Sequence, residues 1–340
     1  LPHGASTSRM EQRDSDDDLY RTKYRDKNIE LPQHYVAKNK IKVPKLPADL
    51  LRVEDRQDGY NWVDNPDSYK ERYIRQLQAM SGIDRLVGNL TKRLKALNID
   101  DNTVVIFTSD HGLFAGEFGL GGKSLCYEKT THVPLIVYDP RTDAEPRKSD
   151  TLVQSIDIAP TILSLAGAEI PNTMQGEDIS PLLTGKASLK REYAFSENLW
   201  STHFGNPRCE AIQNEEWKYI RYYKNNNMSA AKKKIIAKQL NIKQNKMLYG
   251  VHDNDIAVYR HYAEASLNGE PAVYEELYRL SDDPDETTNL LNDKEAQAQL
   301  KLMRSDWLTS LKFARGSGAP QVNRYTLDAQ LELNKKVHLE

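Results

Sequence analysis

Cysteine is scarce in this sequence, which has only Cys126 and Cys209 among its 340 residues. One disulfide or two free thiols fit that pair equally well, so cysteine usage does not fix the cellular compartment. Long apolar runs are also missing, because no stretch approaches the roughly 20 residues of a membrane-spanning helix. Neither sign of charge is in excess, since 47 Lys and Arg residues stand against 49 Asp and Glu residues. The composition therefore gives no sign of a membrane span or of a nucleic-acid partner.

One stretch, residues 103–123, combines a buried strand with side chains that can carry chemistry. Residues 103–108 are apolar or β-branched, which predicts a strand buried on both faces of a parallel sheet. Asp110 and His111 follow directly, at the end of the strand where an open α/β sheet binds its ligands. Glycines are frequent between His111 and Lys123, so we expect the loop to bring the lysine back to the same spot.

Three interpretations of Asp110 and His111 are open from these residues alone. They could be metal ligands, because carboxylate oxygen and imidazole nitrogen suit divalent cations. They could also be the acid and base of a hydrolase, or a capped turn without chemistry. The glycine loop and Lys123 favour a function, because small residues admit a ligand close to the backbone and lysine attracts tetrahedral anions. Together these features predict a metal-assisted anion site.

The elements around this stretch predict an α/β fold followed by a smaller second part. Apolar residues at helical spacing predict a helix over 67–97, capped by Asp67 or Ser68. A buried strand at 133–138 and a short helix at 155–166 follow. After residue 190, aromatic-rich segments predict a small antiparallel sheet and a final helix. We expect strands at 193–197, 209–213, 217–223 and 274–280, a tight turn at 214–216, and a helix over 295–313.

Polar stretches elsewhere are interpreted first as solvated surface. The acidic run at 14–18 could bind metal and the lysine-rich insert at 224–271 could bind polyanions, but solvated loops and helix faces explain both. Residues 29–32 and 43–47 are extended segments set by prolines. Long surface excursions of this kind often frame a substrate cleft.

The motifs, taken in order, resemble a signature of the type I sulfatases, which belong to the alkaline phosphatase superfamily. As an ordered set they are far more specific than any single motif. The matching segments include 109–112 (SDHG), 116–119 (GEFG), 122–123 (GK), 132–137 (HVPLIV), 157–163 (DIAPTIL), 176–185 (GEDISPLLTG) and 283–290 (DPDETTNL). The resemblance implies a partial alkaline-phosphatase-like mixed sheet flanked by helices over 1–190. It also implies a small C-terminal α+β subdomain with an antiparallel sheet over 191–318, and a tail over 319–340.

The resemblance also implies roles for individual residues. Asp110 and His111 would be two ligands of the family's divalent cation, which is usually calcium. Lys123 would hold a sulfate oxygen and stabilise charge on the leaving side. His3 falls where the family has a Pro-His motif whose imidazole contacts the sulfate ester. Phe118 stands where the family more often has histidine, so no substrate contact is inferred at that position.

One part of the family's machinery has no match in this sequence. The family's nucleophile is a Cys or Ser of a Cys/Ser-x-Pro-x-Arg motif, oxidised to formylglycine, and neither cysteine nor any serine here fits that motif. The family's other two metal-binding aspartates also lack a match. Leu1 has the context of a loop, and Leu339-Glu340 resembles cloning sequence. We therefore expect the C-terminal portion of a sulfatase, inactive alone and paired through an exposed sheet edge with its other half or with itself.

The function expected of the complete protein is metal-dependent hydrolysis of a sulfate ester on a sulfated sugar or glycan. His203, Arg208 and the basic insert could face such a polyanion. The alternatives are a phosphodiesterase or phosphonate monoester hydrolase of the same superfamily, and a non-catalytic glycan-binding fragment. The resemblance implies a periplasmic, secreted or lysosomal location.

Overall fold

The computed structural model describes residues 14–41, 45–47, 50, 63–123, 125–143, 145–185, 189, 191–199, 207–223 and 264–315. The chain divides into two compact units. The first comprises Leu1–Asp143 with His203–Asn206, and the second comprises Ala144–Thr202 with Pro207–Glu340. This division differs from the domains expected from the sequence at 1–190, 191–318 and 319–340, which stay a prediction. None of the described helices combines the length and apolarity that crossing a bilayer requires.

The first unit contains short helices, one long helix and short strands. In chain order these are α1 (Asp18–Arg21), α2 (Pro66–Ala96), β1 (Val105–Thr108), β2 (Phe114–Ala115), β3 (Gly121–Gly122), α3 (Glu128–Thr131) and β4 (Leu135–Tyr138). A small core gathers Tyr69 and Ile74 of α2 with Ile29 and Val63. The extended segment around Ile29 is therefore held against the long helix.

Helix α2 begins slightly earlier than its apolar pattern predicts. Its N-cap is Asn65, whose side-chain oxygen accepts a hydrogen bond from the Ser68 amide at 3.0 Å. The predicted cap at Asp67 or Ser68 is therefore wrong. Pro66 occupies the first turn, where its missing N–H loses no helical hydrogen bond.

Strands β1 and β4 form an antiparallel pair, with Thr108 opposite Leu135. The sequence predicts β1 within a parallel sheet and buried on both faces, and for the described residues both predictions are wrong. β1 is half-buried with Thr108 exposed, while Ile136 and Tyr138 of β4 are 61% and 60% exposed. An apolar, β-branched run indicates a strand but does not fix the direction of its neighbour.

The second unit is organised around a four-stranded sheet. Its elements are α4 (Ile158–Leu165), α5 (Ser180–Leu183), β5 (Ala194–Asn198), β6 (Arg208–Gln213), β7 (Trp217–Tyr223), β8 (Tyr274–Arg279) and α6 (Gln297–Arg315). The strands lie in the order β5-β6-β7-β8 and every neighbouring pair is antiparallel, which confirms the predicted sheet. The turn between β6 and β7 is closed by Asn214, whose side chain accepts hydrogen bonds from the Glu216 and Trp217 amides at 2.9 and 2.7 Å.

Helix α6 covers one face of this sheet. Its residues Met303 and Trp307 pack in one apolar cluster with Ile212, Tyr219 and Leu277 of the strands. Nearly every residue of β6 and β7 is buried, so side chains on both faces of these strands are covered. Both cysteines of the chain, Cys126 and Cys209, are buried and neither is in a disulfide.

An ion pair at the start of the second unit is almost fully buried. The Asp157 carboxylate is 0% exposed and binds the Arg191 guanidinium, whose side chain is 7% exposed. Asp157 also accepts hydrogen bonds from the amides of Gln154 at 2.7 Å and Glu177 at 2.9 Å. One carboxylate thus holds together segments that are 34 residues apart in sequence.

We expect Arg191→Met to lower the free energy of unfolding by about 3–5 kcal/mol, because it leaves the Asp157 charge buried without its cation. The matched control is Arg279→Met. It breaks an ion pair with Glu216 in which the two side chains are 46% and 48% exposed, and it should cost only about 0–1 kcal/mol. Urea unfolding followed by tryptophan fluorescence measures both values. Equal costs for the two variants would contradict the role given to Asp157.

Candidate active site

Asp110 and His111 lie directly beyond the end of β1, on a turn that is pressed against the backbone of α3. The Gly112 amide donates a hydrogen bond to the Thr130 carbonyl at 2.9 Å. A Cβ atom on Gly112 would stand 2.1 Å from the carbonyl oxygen of Lys129. Only glycine fits this close approach, and the contact fixes the position of the two functional residues that precede it.

The hydrogen bonds of His111 define the state of its imidazole ring. Nδ1 lies 2.9 Å from the carbonyl oxygen of Gly112. A carbonyl only accepts a hydrogen bond, so Nδ1 carries a proton and Nε2 is the ring nitrogen that faces Lys123. Asp110 approaches the same end of the ring, with Oδ2 3.2 Å from Nε2. Its other oxygen, Oδ1, accepts the His111 amide hydrogen bond at 3.0 Å.

Lys123 returns to His111 through the short hairpin of β2 and β3. These strands pair Phe114 with Gly122, so Lys123 follows one residue beyond the last pair. Its Nζ lies 2.6 Å from His111 Nε2. The sequence predicts that a loop brings the lysine back to Asp110 and His111. In the structure Lys123 contacts His111. An antiparallel register achieves it, rather than loop flexibility.

The donor atoms of Asp110 and His111 suit one divalent cation. Oδ2 and Nε2 are 3.2 Å apart. If a cation lay about 2.1–2.4 Å from each atom, its two bonds to them would meet at nearly a right angle. Asp110 is well exposed, with 81% of its side chain accessible. No group of three or more His, Cys, Asp or Glu side chains among the described residues could hold a metal. Asp110 and His111 therefore supply only two donors, fewer than such a group needs.

Of the other sequence-predicted site residues, only Arg208 is among the described residues. His3 and His203 lie outside the described residues, as do residues 224–263 of the lysine-rich insert. Arg208 is 1% exposed and binds the Glu270 carboxylate at 2.6 and 3.0 Å. Its guanidinium also lies 5.3 Å from the centre of the Tyr223 ring. This geometry favours a structural role for Arg208 over the predicted substrate contact, which stays a prediction.

Glu117 is a buried residue for which the sequence predicts no role. It belongs to the hairpin loop between His111 and Lys123, and it is a buried carboxylate at 5% exposure. Its Oε2 accepts the Ala115 amide hydrogen bond at 2.6 Å. The signal that could have found it is the Gly-Glu pair at 116–117, within the motif that carries the family resemblance.

We expect Gly112→Ala to destabilise the first unit by about 1–3 kcal/mol, because the new methyl group overlaps the Lys129 carbonyl. Gly88→Ala is the matched control. Gly88 lies inside α2 with nothing within 4 Å of a built Cβ, so alanine should stabilise by about 0.5–1 kcal/mol. Thermal unfolding measures both changes. If both substitutions changed the stability in the same direction, the Lys129 carbonyl would not exclude a side chain at Gly112.

Comparison with known proteins identifies the class of protein that carries such residues. The Sulfatase family model matches residues 14–168, and the model of the C-terminal part of N-sulphoglucosamine sulphohydrolase matches residues 116–234. The N-acetylglucosamine-6-O-sulfatase of Bacteroides thetaiotaomicron is 30% identical over 164 residues. The matched region is 45% of this chain and 28% of that protein, so the chain spans well under half of its relative.

Solved structures agree on the fold. A 2-O GAG sulfatase has a TM-score of 0.58 at 19% identity, over 94% of this chain and 58% of its own. The phosphonate monoester hydrolase of Silicibacter pomeroyi has a TM-score of 0.51 at 22% identity, over 72% of this chain and 41% of its own. The α/β fold expected from the sequence is therefore confirmed as alkaline-phosphatase-like. The two family models lie on the segment that contains Asp110, His111 and Lys123, and with the sulfatase relative they support the type I sulfatase family of the alkaline phosphatase superfamily.

Proposed function

We propose that this chain is part of a metal-dependent sulfatase that removes sulfate from a sulfated sugar or glycan. The observation that carries the proposal is the meeting of Asp110, His111 and Lys123 beyond β1, inside the region matched by the Sulfatase model. A carboxylate, an imidazole lone pair and an ammonium group together suit a cation beside a tetrahedral anion. Similarity to an N-acetylglucosamine-6-O-sulfatase supports a sulfated sugar as the substrate class.

The three side chains have distinct roles in this proposal. Asp110 Oδ2 and His111 Nε2 bind the divalent cation, for which the family resemblance indicates calcium. The bound cation would act as a Lewis acid on the sulfate ester. Lys123 binds a sulfate oxygen, and its ammonium then leaves the His111 nitrogen to which it donates. His3 is the further contact to the ester that we propose from the resemblance.

Catalysis needs groups that this sequence does not supply. No Cys or Ser lies in a Cys/Ser-x-Pro-x-Arg motif, so no residue fits the position of the formylglycine nucleophile. Calcium binds about six to eight oxygen ligands, and Asp110 with His111 supplies only two donors. We therefore propose that the chain has no turnover by itself. The rest of the sulfatase fold, in the same polypeptide or in another, would supply the nucleophile and the remaining ligands.

Exposed apolar side chains in the first unit support this proposal. Met80 and Leu86 of α2 are 62% and 60% exposed, and Ile136 and Tyr138 of β4 are exposed to a similar degree. Large exposed apolar side chains that cluster on a surface mark interaction sites or aggregation-prone surfaces. We propose that these side chains are covered by further polypeptide, in the same chain or in another.

Phosphonate monoester hydrolysis is the second candidate function, because the fold is shared with a phosphonate monoester hydrolase. A non-catalytic glycan-binding role is the third. The Sulfatase model and the sulfatase relative favour the first candidate over both. We further propose, from the family resemblance, that the protein works in the periplasm, in a lysosome or outside the cell.

The role of Lys123 can be tested with a sulfate ester that has no sugar. In the presence of calcium, Lys123→Met should weaken the binding of methyl sulfate at least about ten-fold, because a charge-assisted hydrogen bond is lost. Isothermal titration measures the dissociation constants. Lys129→Met, on an exposed position of α3, removes the same charge nearby and should change the affinity less than about two-fold.

Two results would count against the proposed function. If Lys123→Met and Lys129→Met weakened methyl sulfate binding equally, the ester would be attracted only by the overall positive charge. Tighter binding of methyl phosphate than of methyl sulfate would favour phosphoryl chemistry instead.

The exposed apolar side chains of the first unit predict the state of the chain in solution. The chain alone should self-associate in sedimentation velocity experiments, because its exposed apolar side chains have no cover. Met80→Glu combined with Leu86→Glu should shift the population towards monomer, whereas the exposed Lys92→Glu should not. A wild-type chain that is monomeric at every concentration and unfolds in one sharp transition would argue against an uncovered surface.

A further inference from the structure

A cavity of about 590 Å³ lies in the first unit, close to the functional residues. It is lined by the 28–32 segment, one face of α2 and the loop from Leu113 to Glu117. Leu113 is two residues from His111, so their Cα atoms are at most about 7 Å apart. The 28–32 segment includes the extended stretch that the sequence predicts at a substrate cleft. The loop that follows His111 in the chain therefore forms part of the cavity lining.

The charged groups that line this cavity are carboxylates. Glu117 is 5% exposed, and its Oε2 accepts the Ala115 amide hydrogen bond at 2.6 Å. Its other oxygen has no hydrogen bond or ion pair among the described residues. Glu30 adds a second carboxylate at the exposed rim, and Asn28 and Gln76 add amide groups. No lysine or arginine is among the described residues of the lining.

An aromatic wall completes the cavity. Tyr69 and Tyr73 lie one helical turn apart on α2, with their ring centres 5.5 Å apart and nearly parallel at 22°. Burial raises the pKa of Tyr69, so its hydroxyl group stays protonated and adds no negative charge. Aromatic rings offer a flat apolar surface, and nearby polar groups fix the orientation of a ligand. A sugar ring matches this pair of features, because it has an apolar C–H face and an edge of hydrogen-bond donors.

We propose that this cavity binds an amino-sugar ring with a free ammonium group, which Glu117 orients and Tyr69 and Tyr73 pack against. The inference rests on the proposed sulfatase function and names the kind of sugar on which that function would act. An ammonium group gives the buried Glu117 carboxylate a charged donor, which a plain hydroxyl group does not. The two carboxylates repel a sulfate group. The edge of the glycan that enters the cavity therefore carries amino and hydroxyl groups, while the sulfate stays at Lys123.

The experiment compares three small ligands on the whole chain. Saturation-transfer NMR titrations with glucosamine, glucose and ethanolamine give their dissociation constants. Glucosamine should bind about ten-fold more tightly than either of the others, because only glucosamine combines the ammonium group with the ring. Glu117→Gln should abolish the preference for glucosamine over glucose. This substitution keeps the side chain's shape and an acceptor for the Ala115 amide.

Control variants separate the sugar site from general effects. Glu215→Gln removes an exposed carboxylate of the second unit and should leave the three dissociation constants unchanged. Tyr73→Leu removes part of the aromatic wall and should weaken glucosamine and glucose alike while leaving ethanolamine unaffected. This second variant tests the proposal even if Glu117→Gln fails to fold, which circular dichroism would reveal.

Several outcomes would overturn the proposal. Equal affinity for glucosamine and glucose in the wild-type chain would mean that the carboxylates select no ammonium group. Equal affinity for ethanolamine and glucosamine would mean that the cavity binds an amine without a sugar. A preference that survives in Glu117→Gln, or no binding of glucosamine at millimolar concentrations, would also contradict it. Methyl sulfate binding through Lys123 is a separate measurement, so the proposed function can fail or stand independently.

Discussion

The proposed chemistry depends on one constraint, the close approach of Gly112 to the backbone of α3. A Cβ atom at Gly112 would overlap the Lys129 carbonyl oxygen at 2.1 Å, so the turn after β1 can take this path only with glycine. From that fixed turn, the hairpin of β2 and β3 leads back to Lys123. Its ammonium thereby lies 2.6 Å from His111 Nε2. Backbone contacts therefore position the side chains that would bind a cation and an anion before either ligand is present.

The sequence predicts much of the fold because local patterns determine it. The strand over Trp217–Tyr223 has the bounds predicted for it, because an aromatic-rich segment between turn residues was enough to find it. The direction of β1 and its burial could not be predicted, because both depend on which strand lies beside it. The Asp157–Arg191 ion pair was equally invisible, since its partners are 34 residues apart. The contact between Arg208 and Glu270 could not be predicted for the same reason, because the two residues are 62 residues apart in sequence.

The candidate site was predicted in its residues but not in its geometry. The order of the motifs indicates Asp110, His111 and Lys123, whereas the protonated Nδ1 and the 3.2 Å separation of the donor atoms require coordinates. Glu117 marks the limit of motif reasoning. It belongs to the matched segment, yet only its burial beside a cavity indicates a ligand. In the proposed site, charge separates the two parts of the substrate. The cationic Lys123 binds the sulfate group, and the anionic cavity binds the amino sugar.

The central claim is that Asp110, His111 and Lys123 bind a divalent cation and a sulfate group side by side. A crystal structure with calcium and glucosamine 6-sulfate tests it most directly. We predict a cation in contact with both Asp110 Oδ2 and His111 Nε2, and a sulfate oxygen within hydrogen-bond distance of Lys123 Nζ. A cation bound elsewhere, or a sulfate group held without Lys123, would contradict the account.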